Sequence, residues 1–202
     1  MPPVSIERCP WPGIADPDYA RYHDEEWGVP LTGDRALFEK LVLEGFQAGL
    51  SWLTILKKRN NFRRAFDNFE AAKIARYTAR DIARLMGDAG IVRNTLKIEA
   101  TIDNAKAYLA LSRRQPLSHF IWAHFENGPI QNKLLTIKGA PASTDLSKTI
   151  SKALKAEGFR FVGPTTVYAF MQSSGMVNDH LVACPRHAAC AKLQKKLKVP
   201  GR

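Results

Sequence analysis

Apolar residues recur along this chain at the three- and four-residue intervals that place side chains on one face of a helix. The clearest case begins at Asp34, which we expect to cap a helix running to Glu44. The same reading predicts further helices over 52–66, 70–77, 79–87, 95–113, 118–126, 147–158 and 165–174. No segment alternates apolar and polar residues as a half-buried strand does, so the predicted fold class is all-α.

Length and composition indicate a single globular domain. The chain has 202 residues, 45% of them hydrophobic, which suits one domain or two lobes that share a core. We assign 1–187 to that domain and 188–202 to a basic tail that should fray. The segment 1–33 carries too many large rings to be a linker, whereas 129–144 is predicted to be a weakly structured loop. No predicted helix has an additional apolar face that would need to pack against another subunit, so we expect a monomer.

Charge and cysteine usage narrow the classes of function. Lys and Arg number 30 against 19 Asp and Glu, and the net charge of +11 is spread along the chain, which favours nucleic acid as a partner. A generic basic surface would give the same composition. No apolar segment predicts a signal peptide or is long enough to cross a bilayer, so we expect no membrane role. Three cysteines are too few for a disulfide framework, and this favours a cytoplasmic protein.

A break between two predicted helices concentrates chemically useful side chains. Ser51 can cap the second helix, which starts within a few residues of the end of the first. The break offers a carboxylate, an amide, a flexible glycine, a protruding apolar side chain and an aromatic face, carried by Glu44, Gln47, Gly49, Leu50 and Trp52. A carboxylate beside an aromatic face can hold a flat ring with N–H groups on its edge. A kinked core helix, with Glu44 in solvent and Trp52 buried, would give the same pattern.

A second candidate site lies at the turn between the predicted helices 79–87 and 95–113. Thr78 and Asp81 form a capping box for the first of these helices. The turn contains Gly90, and Arg93 and Lys97 lie at the start of the second helix. Amide groups at a helix start have no partners within the helix, and the helix dipole favours an anion there, so the turn can seat a phosphate. An ordinary corner between two helices is equally compatible with these residues.

The two ends of the chain supply a candidate set of metal ligands: Cys9, His23, His180 and Cys184. Two thiolates and two imidazoles are typical of a structural zinc site, in which no coordination position remains for water. His187 and Cys190 form a competing pair. Without a metal, the same residues would be a buried thiol and surface histidines.

Six motifs span nearly the whole chain, from Glu7 to Cys184. They are Cys9-Pro-Trp11, Tyr22-His-Asp-Glu-Glu-Trp-Gly-Val-Pro30, Leu43-Glu-Gly-Phe-Gln-Ala-Gly-Leu-Ser-Trp52, Asp88-Ala-Gly-Ile91, Phe159-Arg-Phe-Val-Gly163 and Val177-Asn-Asp-His180. In their length and order they resemble the motifs of the bacterial 3-methyladenine DNA glycosylase I family, which belongs to the helix-hairpin-helix superfamily.

The resemblance implies a two-lobed, all-α fold with a helix-hairpin-helix near 79–105 and a structural Zn²⁺ held by the four ligands named above. It implies that Glu44 reads a base flipped out of DNA and that other pocket residues stack on or surround this base: Trp11, Tyr19, Tyr22 and Trp52. Contacts with DNA are expected at the helix break, whose tip would enter the base stack, and at the hairpin that would grip phosphate: Gln47, Gly49, Leu50, Gly90, Val92, Arg93 and Lys97.

The function implied by the resemblance is the excision of 3-methyladenine from double-stranded alkylated DNA by a monofunctional glycosylase. We expect Asp179 to orient its neighbour His180 as a metal ligand and name no catalytic aspartate. A zinc-stabilised DNA-binding module and a hydrolase with catalytic zinc remain as alternatives. The chain departs from the family pattern at Phe46, where glutamine is frequent, at Ala169, where relatives have a small hydroxyl residue, and in a slightly longer spacing from Cys9 to His23.

Overall fold

The structure, a computed structural model, describes residues 8–201. Positions 1–7 and 202, which belong to the predicted domain and tail, lie outside the described residues. The helices are α1 (Pro17–Glu25), α2 (Asp34–Gln47), α3 (Trp52–Ala65), α4 (Ala71–Ile74), α5 (Ala79–Gly87), α6 (Thr95–Ser112), α7 (Leu117–Trp122), α8 (Asp145–Ala156), α9 (Pro164–Ser173) and α10 (Pro185–Lys195). None of these helices is long and apolar enough to cross a membrane.

The described chain is mostly helical, as predicted. Strands are confined to β1 (Ile130–Gln131) and β2 (Val177–Asn178), which pair in parallel over two residues. β1 and a short 3₁₀ turn at Ile137–Gly139 lie within the segment predicted to be a weakly structured loop. This pairing holds the loop against the segment that leads to His180.

Helix α2 organises the hydrophobic core because it packs against α3, α6, α7 and α9. Its fully buried Phe46 contacts Phe62 and Phe66 of α3 and its C-terminal end, with ring centroids 4.7 and 5.9 Å away. Burial of one such side chain stabilises the fold by about 1.5–3 kcal/mol. Phe46, named above as a departure expected from the resemblance, is therefore a core residue, and its ring does not line the pocket described below.

Two predicted helix starts are confirmed by their capping hydrogen bonds. Ser51 Oγ accepts the Thr54 amide at 3.2 Å and so caps α3. The Asp81 carboxylate accepts the Thr78 amide at 2.9 Å as part of the capping box of α5. Both interactions are local, which explains why a sequence pattern was sufficient to predict them.

The prediction that Asp34 caps α2 is wrong. Gly33 is the cap residue and Asp34 is the first residue of the helix. The Asp34 carboxylate instead accepts the amides of Leu117 and Ser118 at 3.3 and 2.9 Å. These are the first two amides of α7, which have no partners within that helix, so Asp34 caps a helix distant in sequence.

Other helix boundaries differ from the predicted ones by at most four residues. The predicted helix 147–158 begins at Asp145, because Thr144 is its cap and Ser147 completes a capping box. Helix α2 runs three residues beyond Glu44. The predicted helices 70–77 and 118–126 are shorter in the structure, as α4 and α7.

The prediction that 188–202 frays is wrong for its described part. Helix α10 continues to Lys195, and Cys190 and Gln194 on one of its faces are buried. The Gln194 amide donates to the Gly28 carbonyl at 2.9 Å. Leu197 also packs against the core, whereas the described lysines of this segment are exposed on α10 and just beyond its end.

Candidate active site and metal centre

A pocket of about 300 Å³ lies where residues of α1, α2, α3 and α9 meet the loop after β1. It is lined by all the residues predicted to bind a base and by one residue predicted to contact DNA, Gln47. The predicted base-binding residues are Trp11, Tyr19, Tyr22, Glu44 and Trp52. It also has lining residues that the sequence analysis did not predict for it: Pro12, Trp27, Leu134, Ile137, Ala140, Ala169, Gln172, Ser173 and Asp179.

Glu44 lies in the pocket wall and is only 4% exposed. Its Oε1 accepts a hydrogen bond of 2.7 Å from the Ser173 hydroxyl on α9. The neighbouring Gly45 packs against the segment before α9, where an added Cβ would lie 3.3 Å from Phe161 Cβ. Burial raises the pKa of Glu44 to about 7, against the opposing effects of Lys40 and Ser173. The carboxyl can therefore change its charge near neutral pH.

Lys40 is a functional candidate that the sequence analysis missed. It lies one helical turn before Glu44, and its Nζ is 5.0 Å from the Tyr22 ring centroid and 5.3 Å from that of Trp52. Such distances allow cation–π attraction to both rings. Burial lowers the pKa of Lys40, whereas Glu44 and then Glu26 raise it. The Lys-x-x-x-Glu spacing on α2 is the signal in the sequence that could have indicated this pair.

Aromatic rings form the rest of the pocket wall. The rings of Tyr22 and Trp52 lie 5.4 Å apart, and Trp11 contacts Tyr19 at 5.1 Å, both in tilted arrangements. Trp52 is 7% exposed, and within the described residues its buried Nε1–H has no hydrogen-bond partner. A buried donor without a partner is uncommon and favours a site that a ligand completes. Rings with different tilts around one cavity suit a planar ligand.

The break between α2 and α3 projects from the surface. Gly49 has a φ of +81°, which favours glycine, and an added Cβ there would meet nothing within 4 Å. Leu50 follows and is 42% exposed. Its amide donates to the Gln47 carbonyl at 2.6 Å. We call Gly49 and Leu50 the tip; it is tight, exposed and next to the pocket residue Gln47.

The turn between α5 and α6 is built around Gly90. Its amide donates to Asp88 Oδ1 at 2.7 Å, and an added Cβ would lie 2.8 Å from that oxygen and 3.1 Å from Asn61. Arg93 is exposed beside the turn, and Val92 packs partly against the core. Of the two cations predicted to bind phosphate at this turn, Arg93 is therefore exposed at the surface.

Lys97 does not occupy the position predicted for it. It is only 8% exposed, and its Nζ donates to the carbonyls of Phe46 and Ala48 at 2.8 and 2.7 Å. Both carbonyls are at the C-terminal end of α2, where a helix lacks internal donors and favours a positive charge. The position of the Lys97 ammonium, which is directed into the protein, therefore does not support the expected phosphate contact, and that contact stays a prediction.

The four predicted metal ligands converge. Their donor atoms all lie within 4.8 Å of one another, and all four residues are buried: Cys9, His23, His180 and Cys184. Cys9 Sγ lies 3.6 Å from His180 Nδ1, and Cys184 Sγ lies 3.7 Å from His23 Nε2. Tetrahedral zinc with ordinary bond lengths separates sulfur and nitrogen ligands by about 3.6 Å. The residues present therefore fit a four-coordinate metal ion.

Hydrogen bonds outside this cluster orient both histidines. His23 Nδ1 lies 2.8 Å from an Asp24 oxygen, and His180 Nε2 lies 3.0 Å from the Trp27 carbonyl. Each ring thus turns its other nitrogen towards the cysteines, an arrangement found at metal-bound histidines. The Cys9 side chain, followed by the two histidines, lowers the pKa of the Cys184 thiol, which favours the thiolate that a metal requires.

The metal cluster and the pocket share a wall. The Trp27 ring lies 4.6 Å from the His180 ring and 4.7 Å from Trp11, and Trp11 lies 4.8 Å from the His23 ring. Both tryptophans also line the pocket. The sequence analysis assigned Trp11 to the base site but gave Trp27 no role. The histidines of this Cys/His cluster therefore contact two aromatic residues of the pocket wall directly.

The competing ligands His187 and Cys190 lie outside the cluster. His187 Nε2 lies 2.8 Å from the Asn132 carbonyl, and Cys190 Sγ lies 3.7 Å from the Trp27 carbonyl. Both residues belong to α10 and are not among the four residues whose donor atoms converge, although Cys190 Sγ approaches the same Trp27 carbonyl as His180 Nε2. The alternative ligand pair is therefore not supported by the geometry.

Asp179 does not orient His180, contrary to expectation. Its carboxylate accepts hydrogen bonds from Tyr168, Gln172 and Asn132 at 2.7, 2.7 and 2.6 Å. Asp179 lines the pocket and is held by these donors. Ala169 also lines the pocket, and its methyl group offers no hydrogen bond there.

Comparisons with known proteins agree with this combination of fold and pocket. Residues 11–187 match the model of the methyladenine glycosylase family. The DNA-3-methyladenine glycosylase of Haemophilus influenzae is 50% identical over 179 residues, covering 88% of this chain and 96% of the relative. The chain therefore belongs to the methyladenine glycosylase family, a class of enzymes.

Solved structures support the same relationship. A crystal structure of 3-methyladenine DNA glycosylase I superposes with a TM-score of 0.86 at 45% identity, covering 89% of this chain and 98% of the other. A tyrosine-to-phenylalanine variant of 3-methyladenine DNA glycosylase I in complex with 3-methyladenine has a TM-score of 0.81 at 40% identity, covering 84% and 92%. The fold of this chain is thus one on which a 3-methyladenine complex has been observed.

Proposed function

We propose that this protein is a monofunctional DNA glycosylase that excises 3-methyladenine from alkylated double-stranded DNA. The observation that carries the proposal is the buried carboxylate of Glu44 in an aromatic pocket of a chain that belongs to the methyladenine glycosylase family. The relatives are named for this activity, and a structural neighbour contains 3-methyladenine.

Charge distinguishes the damaged base from normal adenine. Alkylation at N3 leaves the base in DNA with a positive charge, so an ionised Glu44 can both complement this charge and accept hydrogen bonds from the base edge. Trp52, Tyr22 and the rings opposite stack on the cation, each contact contributing about 0.5–2 kcal/mol. A cationic base also favours the ionised form of this carboxyl, whose pKa is about 7. Unmodified adenine lacks this attraction.

The reaction is hydrolysis of the N-glycosidic bond. The bond between the sugar C1′ and N9 breaks, and the electron pair leaves with the base, which thereby becomes neutral. A water oxygen then bonds to C1′ and releases a proton. Because the leaving group is already cationic, the base needs no protonation. Asp179 already accepts three hydrogen bonds and is assigned a structural role in the pocket wall.

DNA would engage the tip and the hairpin formed by α5, α6 and their turn. Leu50 is exposed next to the pocket and can fill the space that a flipped base leaves, which offsets part of the few kcal/mol that flipping costs. At the hairpin, Gly90, Val92 and the exposed Arg93 surround the N-terminal end of α6, where a phosphate is favoured. The net charge of +11 supports this partner.

We further propose that the cluster of Cys9, His23, His180 and Cys184 holds a structural Zn²⁺. Four protein donors complete tetrahedral coordination, which leaves no position for water or substrate. The metal would fix residues from the two ends of the chain and, through Trp11 and Trp27, the adjacent pocket wall.

The excision activity is tested by measuring free bases released from methylated duplex DNA by the wild type and by Glu44→Gln. The amide nearly keeps the shape of the carboxyl but cannot become negative, so we expect 3-methyladenine release to fall about 100-fold or more, as for loss of one preorganised charge contact. Glu39→Gln, a change on the same helix outside the pocket, is the matched control. Undiminished release by Glu44→Gln would exclude the assigned role.

A further inference from the structure

Lys97 has an unusual environment for a surface-type side chain. Its ammonium is buried, and both of its hydrogen bonds go to backbone carbonyls, of Phe46 at 2.8 Å and Ala48 at 2.7 Å. Desolvation by burial lowers its pKa, and no carboxylate raises it. A buried cation held only by carbonyls is costly to retain, so its position calls for an explanation beyond general packing.

The two ends of this side chain belong to different functional elements. Lys97 lies in the first turn of α6, where its amide donates to the capping Asn94 Oδ1 at 3.0 Å. Its ammonium reaches the C-terminal end of α2, the helix that carries Glu44. Ala48, whose carbonyl it binds, immediately precedes Gly49. The side chain thus joins the start of the hairpin's second helix to the base of the tip.

The tip has few other attachments. The Leu50 amide donates to Gln47 within the same turn, and Ser51 caps α3 on the far side. An added Cβ at Gly49 would meet nothing within 4 Å, so no described residue packs against the tip at that position. Lys97 links the loop itself to the hairpin through its hydrogen bond to Ala48. After the tip, Lys58 and Asn61 of α3 also reach the hairpin, donating to the carbonyls of Ala89 and Gly90 at 2.8 and 3.2 Å.

We propose that Lys97 is a positioning residue that fixes the tip relative to the phosphate-binding hairpin, so that Leu50 enters the base stack in register when the hairpin holds DNA. This inference rests on the proposed function. It predicts a defect in flipping a stacked base, whereas recognition of a free or unstacked base should persist. A direct phosphate contact predicts weaker DNA binding instead.

The test compares one methylated strand in two states. Methylated poly(dA) is assayed alone and annealed to poly(dT), with single-turnover release of 3-methyladenine as the readout. We expect Lys97→Met to slow release from the annealed form by about 10- to 100-fold, since misplacements of about 1 Å cost factors of this size. Release from the single strand should change less than about threefold. Lys106→Met, which removes an exposed charge from the same helix, is the matched control.

A double-mutant cycle with Leu50→Ala shows whether Lys97 acts through the tip. If it does, the double variant is no more than about twofold slower on the annealed form than Leu50→Ala alone, because the two changes remove one function. Multiplicative effects, or equal losses on both substrates, would overturn the proposal. So would an unchanged saturating rate with a salt-dependence slope lowered by about one, which indicates a phosphate contact.

Two controls keep the outcomes distinct. If Lys97→Met does not remain folded, Lys97→Gln takes its place in the same double-mutant cycle. This variant loses the charge but keeps a hydrogen-bond donor. The same results then support or overturn the proposal. Failure of the wild type to release 3-methyladenine from either substrate would instead reject the proposed function, since the role of Lys97 is read only relative to that rate.

Discussion

Glu44 is expected to destabilise the folded protein at neutral and alkaline pH. Its pKa is raised from 4.5 to about 7 in the folded state, chiefly by burial. The folded state therefore binds more protons than the unfolded state between these values, so stability falls as pH rises through this window. The corresponding loss between pH 5 and pH 8 is at most about 2.5 kcal/mol. Replacing Glu44 by Gln should abolish that loss.

Urea unfolding followed by tryptophan fluorescence, at several pH values between 5 and 8, measures this effect directly. The free energy of unfolding of Glu44→Gln minus that of the wild type should increase by about 2 kcal/mol from pH 5 to pH 8. Any constant effect of the amide on packing cancels in this comparison. Glu70→Gln, in an exposed ion pair with Lys73, is the control. A difference that does not change with pH would contradict the account of Glu44 as a buried carboxyl.

Three further predictions follow from single contacts. Lys40→Met removes the cation that lowers the pKa of Glu44. The acid limb of kcat/KM for excision, which we expect near pH 7, should therefore move to higher pH. An unchanged pH profile would argue against coupling between Lys40 and Glu44. Asp34→Ala removes the cap of α7 and should cost about 1 kcal/mol in urea unfolding, whereas no loss would reject that cap. Cys184→Ser should lower both bound zinc and the melting temperature, whereas Cys190→Ser should leave bound zinc unchanged; zinc loss in Cys190→Ser alone would contradict the ligand set.

Features set by neighbouring residues could be predicted from the sequence. The Ser51 cap and the Thr78–Asp81 box each depend on residues three positions apart, and both are present. The convergence of the four metal ligands was predicted because few residue types bind zinc and the chain has few of them near its ends. The two pairs of ligands are far apart in sequence. Donor chemistry narrowed the candidates, and the family resemblance favoured these four over His187 and Cys190.

Features set by tertiary packing could not be predicted. Asp34 is a residue type that commonly caps helices, but the amides that donate to its carboxylate belong to the first turn of α7. Lys97 is a residue type that commonly binds phosphate, and only the position of α2 shows that its ammonium is buried. Similarly, the ring contacts of Lys40 depend on how α1 and α3 pack against α2.

The C-terminal segment illustrates a misleading composition. Its lysines suggested a frayed tail, but Cys190, Gln194 and Leu197 recur at intervals of four and three residues and form the face that docks. This helical spacing can be read from the sequence, but the many lysines favoured the prediction of a frayed tail. Apolar or buried polar positions at helical spacing are therefore better evidence of order than net charge is.

The central claim is tested most directly by identifying the bases that the wild type releases from methylated duplex DNA, separated by chromatography, with and without a chelator. We predict release of 3-methyladenine that continues while the chelated protein stays folded, because the proposed zinc holds structure and takes no part in the reaction. Salt-sensitive DNA binding without any free base would contradict the glycosylase account. Immediate loss of release on chelation, with the fold retained, would contradict the structural role of the metal.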